Sequence, residues 1–157
     1  MATAEALEKW ESFKETLEEG AEQEEWTVDS AQVADVLLEE EIERAESMLD
    51  LEADFDGEGS PAYTEDTFDL AAEFLRLHSR YFWEHCEKYS PVPKITPGPN
   101  GSIDLHWKLE SRELLVNIPA DVHEPAVYYG DNYGVEKIRG SVDPKKISYV
   151  IATWLMH

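Results

Sequence analysis

Near residue 105, four polar side chains alternate with apolar ones in a spacing that could support chemistry. Asp104, His106 and Lys108 stand at two-residue steps between Ile103, Leu105 and Trp107, so an extended chain puts all three on one face. Glu113 comes opposite them once the chain turns back after Glu110-Ser111-Arg112. A carboxylate, an imidazole and an amine placed in this way can exchange protons with a substrate, or hold a divalent cation for a metal-dependent hydrolase or nuclease-like reaction. A solvent-facing strand shows the same residue types with no chemistry attached. No Gly-rich phosphate loop, nucleophile elbow or paired His-carboxylate motif accompanies the four.

Two further groups have metal-ligand chemistry. The run Glu52-x-Asp54-x-Asp56-Gly57-Glu58-x-Ser60 alternates oxygen ligands around a glycine, as a calcium loop does, with Asp54, Asp56 and Glu58 as the ligand candidates. It departs from that pattern at both ends: Glu52 stands where Asp is usual, and Tyr63 occupies the position of the bidentate carboxylate. The other reading is a solvated acidic loop. His78, His85 and Cys86 offer imidazoles and a thiol, but one helix cannot bring the three to a single point, and zinc needs three or four converging ligands. The residues imply no cofactor.

Charge separates the chain into unlike halves. Of a net charge of −22, residues 1–70 hold 24 acidic and 3 basic residues, a net of −21, while residues 71–157 hold 11 and 10, a net of −1. A negative lobe of this kind repels phosphate backbones and anionic membranes and favours a basic protein partner. The run Glu39, Glu40 and Glu41 with Glu43 is the expected docking surface, and Tyr129 and Tyr133, near a hairpin tip, are the expected uncharged contacts. The single cysteine, Cys86, excludes an internal disulfide framework. The acidic residues 1–25 do not resemble a signal peptide, and no run approaches the roughly 20 apolar residues of a membrane span, which points to a cytoplasmic location.

The elements that must carry these groups follow from periodicity. From Thr64 to Tyr89, Phe68, Ala71, Ala72, Leu75, His78, Phe82 and Cys86 recur at steps of three and four, which predicts a long helix capped by Thr64 and ended by Pro91 and Pro93. Upstream, the stripes Leu7, Trp10, Phe13, Leu17 and Ala34, Leu38, Ile42, Ala45, Leu49 predict an acidic helical hairpin over about 3–25 and 30–49. Downstream, the prolines of 90–101 make an extended connector, after which the period falls to two. Strands are expected over 103–108, 114–118, 126–129 and 135–142, followed by a helix capped by Asp143 with Pro144 at its first position. The fold class is α+β: hairpin, long central helix, four-stranded antiparallel meander, and a C-terminal helix on the sheet. The chain reads as one domain, 1–157, with 1–60 an acidic helical lobe and 64–157 the core.

The run from Pro93 to Trp107, Pro-Lys-Ile-Thr-Pro-Gly-Pro-Asn-Gly-Ser-Ile-Asp-Leu-His-Trp, followed by Gly130-Asp131-Asn132-Tyr133-Gly134, resembles uncharacterised bacterial proteins of mobile-element, toxin–antitoxin or defence-type loci. The resemblance implies a small β-rich bacterial module and carries over no activity. Residues and charge together favour a non-enzymatic, inhibitor- or antitoxin-like binder of a basic protein. The alternatives are a hydrolase built on Asp104 and His106, and a structural subunit that oligomerises.

Overall fold

In the computed structural model, residues 30–86 and 90–156 are described. The expected helix over 3–25, the first half of the hairpin, lies outside the described residues. The chain runs through α1 (Ser30–Ala45), a 3-10 turn (Glu46–Asp50), α2 (Glu65–Cys86), five strands, and α3 (Tyr149–Met156). The strands are β1 (Lys94–Pro97), β2 (Ile103–Lys108), β3 (Glu113–Ile118), β4 (Ala126–Asp131) and β5 (Lys137–Val142), paired antiparallel in sequence order. The class is α+β as expected, with three helices among the described residues and five strands instead of four.

The long central helix forms where its periodicity placed it. Thr64 Oγ1 accepts the N–H of Thr67 (3.3 Å) at the N-terminus, and Glu65 and Asp66 occupy the first turn, where the helix dipole favours negative charge. Its stripe, Phe68, Ala71, Ala72, Phe74, Leu75, His78 and Phe82, is buried against Ile103, Leu105, Leu114, Val116 and Ile118 of the sheet. Each large side chain fully removed from water contributes about 1.5–3 kcal/mol before the entropy of ordering is charged against it.

The extra strand comes from the proline-punctuated connector. Pro93 and Pro97 bracket Ile95, which points into the core, and β1 pairs with β2 in the register Ile95↔Leu105. A strand at the sheet edge tolerates Pro97 because one side of its backbone needs no ladder partner. The turn back to β2 uses Asn100 and Gly101 at φ 56° and 78°, the left-handed conformation that this dipeptide supplies at low cost.

The last helix starts later than its Asp-Pro signal suggests. Asp143 Oδ1 accepts the N–H of Lys145 (2.9 Å) and its carbonyl that of Lys146 (3.1 Å), which closes a turn. Ser148 is the cap, with its Oγ on the N–H of Ile151 (3.3 Å) and its carbonyl on that of Ala152 (2.9 Å). β5 also begins two residues late, because Asn132 Oδ1 takes the N–H groups of Val135 and Glu136 into the preceding loop.

Leu38, Ile42, Ala45 and Met48 belong to the same buried cluster as α2 and the sheet. The second half of the expected acidic lobe is therefore part of the core and not a body beside it. α1 lies antiparallel to α2, and α2 and α3 cover one face of the sheet. The other face meets solvent, with Leu115, Val127 and Tyr129 at 36, 51 and 44 % exposure.

Candidate functional site

The uncovered sheet face carries the candidate acid–base residues. The ladder sets Lys94, His106, Leu115, Tyr129 and Arg139 side by side in one row across all five strands. In the next row Lys108 and Lys137 flank two adjacent carboxylates, Glu113 and Asp131. His106 Nε2 lies 3.4 Å from Glu113 Oε1, a diagonal contact between neighbouring strands, and Lys108 faces Glu113 in the register. The three thus form one partly exposed cross-strand cluster.

Asp104 belongs to a different network. Asn117 opposite it donates from Nδ2 to Asp104 Oδ1 (2.8 Å) and to Ser102 Oγ (2.8 Å), and Ser102 donates in turn to Pro99 O (2.6 Å). These bonds fix the β1–β2 turn, and a Cβ on Gly98 would come within 3.0 Å of Asp104 Oδ1. Asp104 therefore supports a turn, while His106, Lys108 and Glu113 sit together on the open face.

The acidic loop is folded on its own carboxylates. Asp54 Oδ1 accepts the N–H of Gly59 (2.6 Å), Asp56 Oδ1 that of Glu58 (3.0 Å), and the Ser60 hydroxyl donates to Asp56 Oδ2. The Ser60 hydroxyl and the Glu58 amide hold the Asp56 carboxyl below its usual range. Asp54, at φ 62°, and Gly57 and Gly59, at 74° and 81°, bend the chain around these bonds. Asp54 and Asp56 are turned to backbone donors of their own loop. Among the described residues no three His, Cys, Asp or Glu groups lie within reach of one metal ion.

His78, His85 and Cys86 are likewise apart. His85 is exposed and stacks on Tyr81 with ring centroids 4.4 Å apart, and the Cys86 thiol contacts Met156 Sδ at 3.2 Å. His78 is 2 % exposed, with Nδ1 2.9 Å from Phe74 O and Nε2 accepting the N–H of Ser148 (3.0 Å). The second bond leaves Nε2 without a proton and puts the hydrogen on Nδ1, a neutral ring. Burial pushes its pKa below the ordinary histidine value.

Glu39 and Glu41, expected as docking carboxylates, bind within the chain. Glu39 takes a two-pronged contact from Arg76 (2.6 and 2.9 Å), which also reaches Glu73 (2.8 Å), and this guanidinium holds the Glu39 carboxyl below its usual range. Glu41 Oε2 accepts the N–H of Ile95 (3.0 Å), and its partner Arg44 donates to the carbonyl of the same residue (2.8 Å). The pair occupies the backbone groups that a neighbouring strand would otherwise use. Glu40 and Glu43 are exposed. Tyr129 lies on the open sheet face, and Tyr133, at φ 62°, donates from its hydroxyl to Leu109 O (3.3 Å).

Comparison with protein-family models, with curated proteins and with solved structures finds no match to this chain. Sequence reasoning missed the Glu41–Arg44 clasp on β1 and the apolar middle of the open face. The three-residue step from Glu41 to Arg44 was a visible signal for the first. For the second there was none: Ala126, Val127, Tyr128 and Tyr129 are apolar on both faces, so alternation cannot say which side is covered.

Proposed function

We propose that this protein is a non-enzymatic binding protein whose acidic helical layer docks on a basic protein, in the manner of an inhibitor or antitoxin. The observation that carries the reading is the separation of charge across the fold. Asp35, Glu40, Glu43 and Glu46 of the α1 segment, Glu52, Asp54, Asp56 and Glu58 of the loop, and Asp66, Asp69, Glu73 and Glu84 of α2 are all exposed on the helical side. The open sheet face, by contrast, balances Lys94, Lys108, Lys137 and Arg139 against Asp104, Glu113 and Asp131. Arg44 and Arg80 are also exposed on the helical side, but the carboxylates far outnumber them, and a surface with such an excess of one sign steers a partner of the other sign. The hydrolase reading has less behind it, because Asp104 is bound to Asn117 and does not join His106 in a common centre.

The test replaces Glu40, Glu43 and Glu46 by Lys in the full chain, which leaves Glu39 and Glu41 in their structural contacts. Native lysate is passed over both proteins at low and high salt. The reading expects basic proteins held at low salt by the original chain and lost from the variant. Capture that is indifferent to both salt and charge reversal would refute it.

A further inference from the structure

We propose that the open edge of β5 pairs with the same edge of a second copy, joining two sheets antiparallel about a two-fold axis at Gly140. The two edges of the sheet differ. At β1 the N–H and C=O of Ile95 are taken by Glu41 and Arg44, and the flanking Pro93 and Pro97 have no N–H to offer. At β5, among the described residues, no strand pairs with the side turned away from β4.

The hairpin register shows which groups point into that edge. Asn132 donates its N–H to Glu136 O (3.1 Å), so the pairs of the same parity, Gly130↔Ile138, Tyr128↔Gly140 and Ala126↔Val142, are the hydrogen-bonded set. The N–H and C=O of Lys137, Arg139 and Ser141 therefore face outward. An antiparallel copy centred on Gly140 sets Arg139 against Ser141 of the second copy, Lys137 against its Asp143, and Ile138 against its Val142. Opposite charges meet on the solvent face, apolar side chains meet on the helix face, and no like charges stand opposed. At the axis the Tyr128 hydroxyl lies 2.6 Å from where a Cβ of Gly140 would sit, so the strand stays bare where the two copies cross.

Charge and closure select a second copy as the occupant. From Lys137 onward the chain holds Lys137, Arg139, Lys145 and Lys146 against Asp143 alone, so two copies of net charge −22 approach through their least acidic surface. Added salt screens the remaining repulsion and strengthens this contact, the reverse of its effect on an acidic–basic interface. Because the other edge is closed, pairing stops at two chains and does not propagate into a fibre. A six-residue ladder is small for an interface, which sets a reversible, micromolar association.

Sedimentation velocity of the full chain across the micromolar range, at low and high salt, tests this. The mass should rise from 18.0 kDa to twice that, further at high salt. Ser141→Pro removes an N–H that serves only the edge and should raise the dissociation constant about tenfold or more, with unchanged circular dichroism. Lys137→Asp and Asp143→Lys should each weaken the dimer, and the double variant should restore it. A monomer throughout, or a dimer indifferent both to Ser141→Pro and to the charge exchange, overturns the proposal.

Discussion

Protonating His78 should destabilise this protein from the inside, by an amount that follows from the ring's surroundings. The ring is buried among Leu38, Leu75, Ser79, Pro91, Val92 and Trp107, none of them ionisable, and both its nitrogens are engaged. A proton on Nε2 would confront the N–H of Ser148, the cap of α3, and leave a charge without a counter-charge. The folded-state pKa therefore lies below the unfolded value of about 6.5. The folded chain binds fewer protons than the unfolded one in this window, so the stability from His78 is complete above about pH 6.5 and is lost as pH falls below it. The limiting slope is about 1.4 kcal/mol per pH unit for one proton, which from pH 7 to pH 5.5 amounts to about 1.2 kcal/mol when the folded ring stays neutral. The assay is urea unfolding at several pH values for the wild type and for His78→Gln, whose amide can accept from Ser148 but does not titrate. Carboxylates and the exposed histidines contribute equally to both proteins and cancel in the difference. Parallel stability curves from pH 7 to 5.5 would refute the assignment of a neutral, doubly bonded ring.

Glu41→Ala should cost about 1–3 kcal/mol by leaving the part-buried Ile95 N–H without its carboxylate acceptor, whereas the exposed Glu43→Ala should stay within about 0.5 kcal/mol; equal effects in thermal melts would contradict the clasp. Deleting residues 1–60 removes Leu38, Ile42 and Met48, each worth about 1.5–3 kcal/mol, from a domain of ordinary stability of about 5–15 kcal/mol, so residues 61–157 should show no cooperative melt. His106→Ala and Lys108→Ala should leave both fold and partner binding intact, and Asp104→Ala should cost about 1 kcal/mol through its bond to Asn117; a loss of biological activity in a folded variant would move the functional reading to the open sheet face. Millimolar calcium should not raise the Tm, since Asp54 and Asp56 are occupied by backbone donors; a rise of several degrees reversed by chelator would contradict this.

The sequence alone determined α2, β2, β3 and the α+β class. A helix stripe, a two-residue alternation and a Thr64 cap are local signals, and burial on one side then confirms what the period requires. It also determined the uneven charge, a count that needs no coordinates. Only tertiary structure decided that Lys94–Pro97 is a strand, because four residues between prolines have no period and take their conformation from Ile103–Lys108. The start of α3 was decided the same way: the Asp143-Pro144 signal is genuine but closes a turn, while Ser148 becomes the cap with its N–H on His78, 70 residues away in sequence. Glu41 looked like one carboxylate of an acidic run until Ile95 came beside it. Which carboxylates remain for a partner, and which sheet face and edge stay open, are properties of contacts between distant segments. Composition and periodicity cannot hold that information, since the same residue is a surface charge or a structural clasp according to what the fold brings against it.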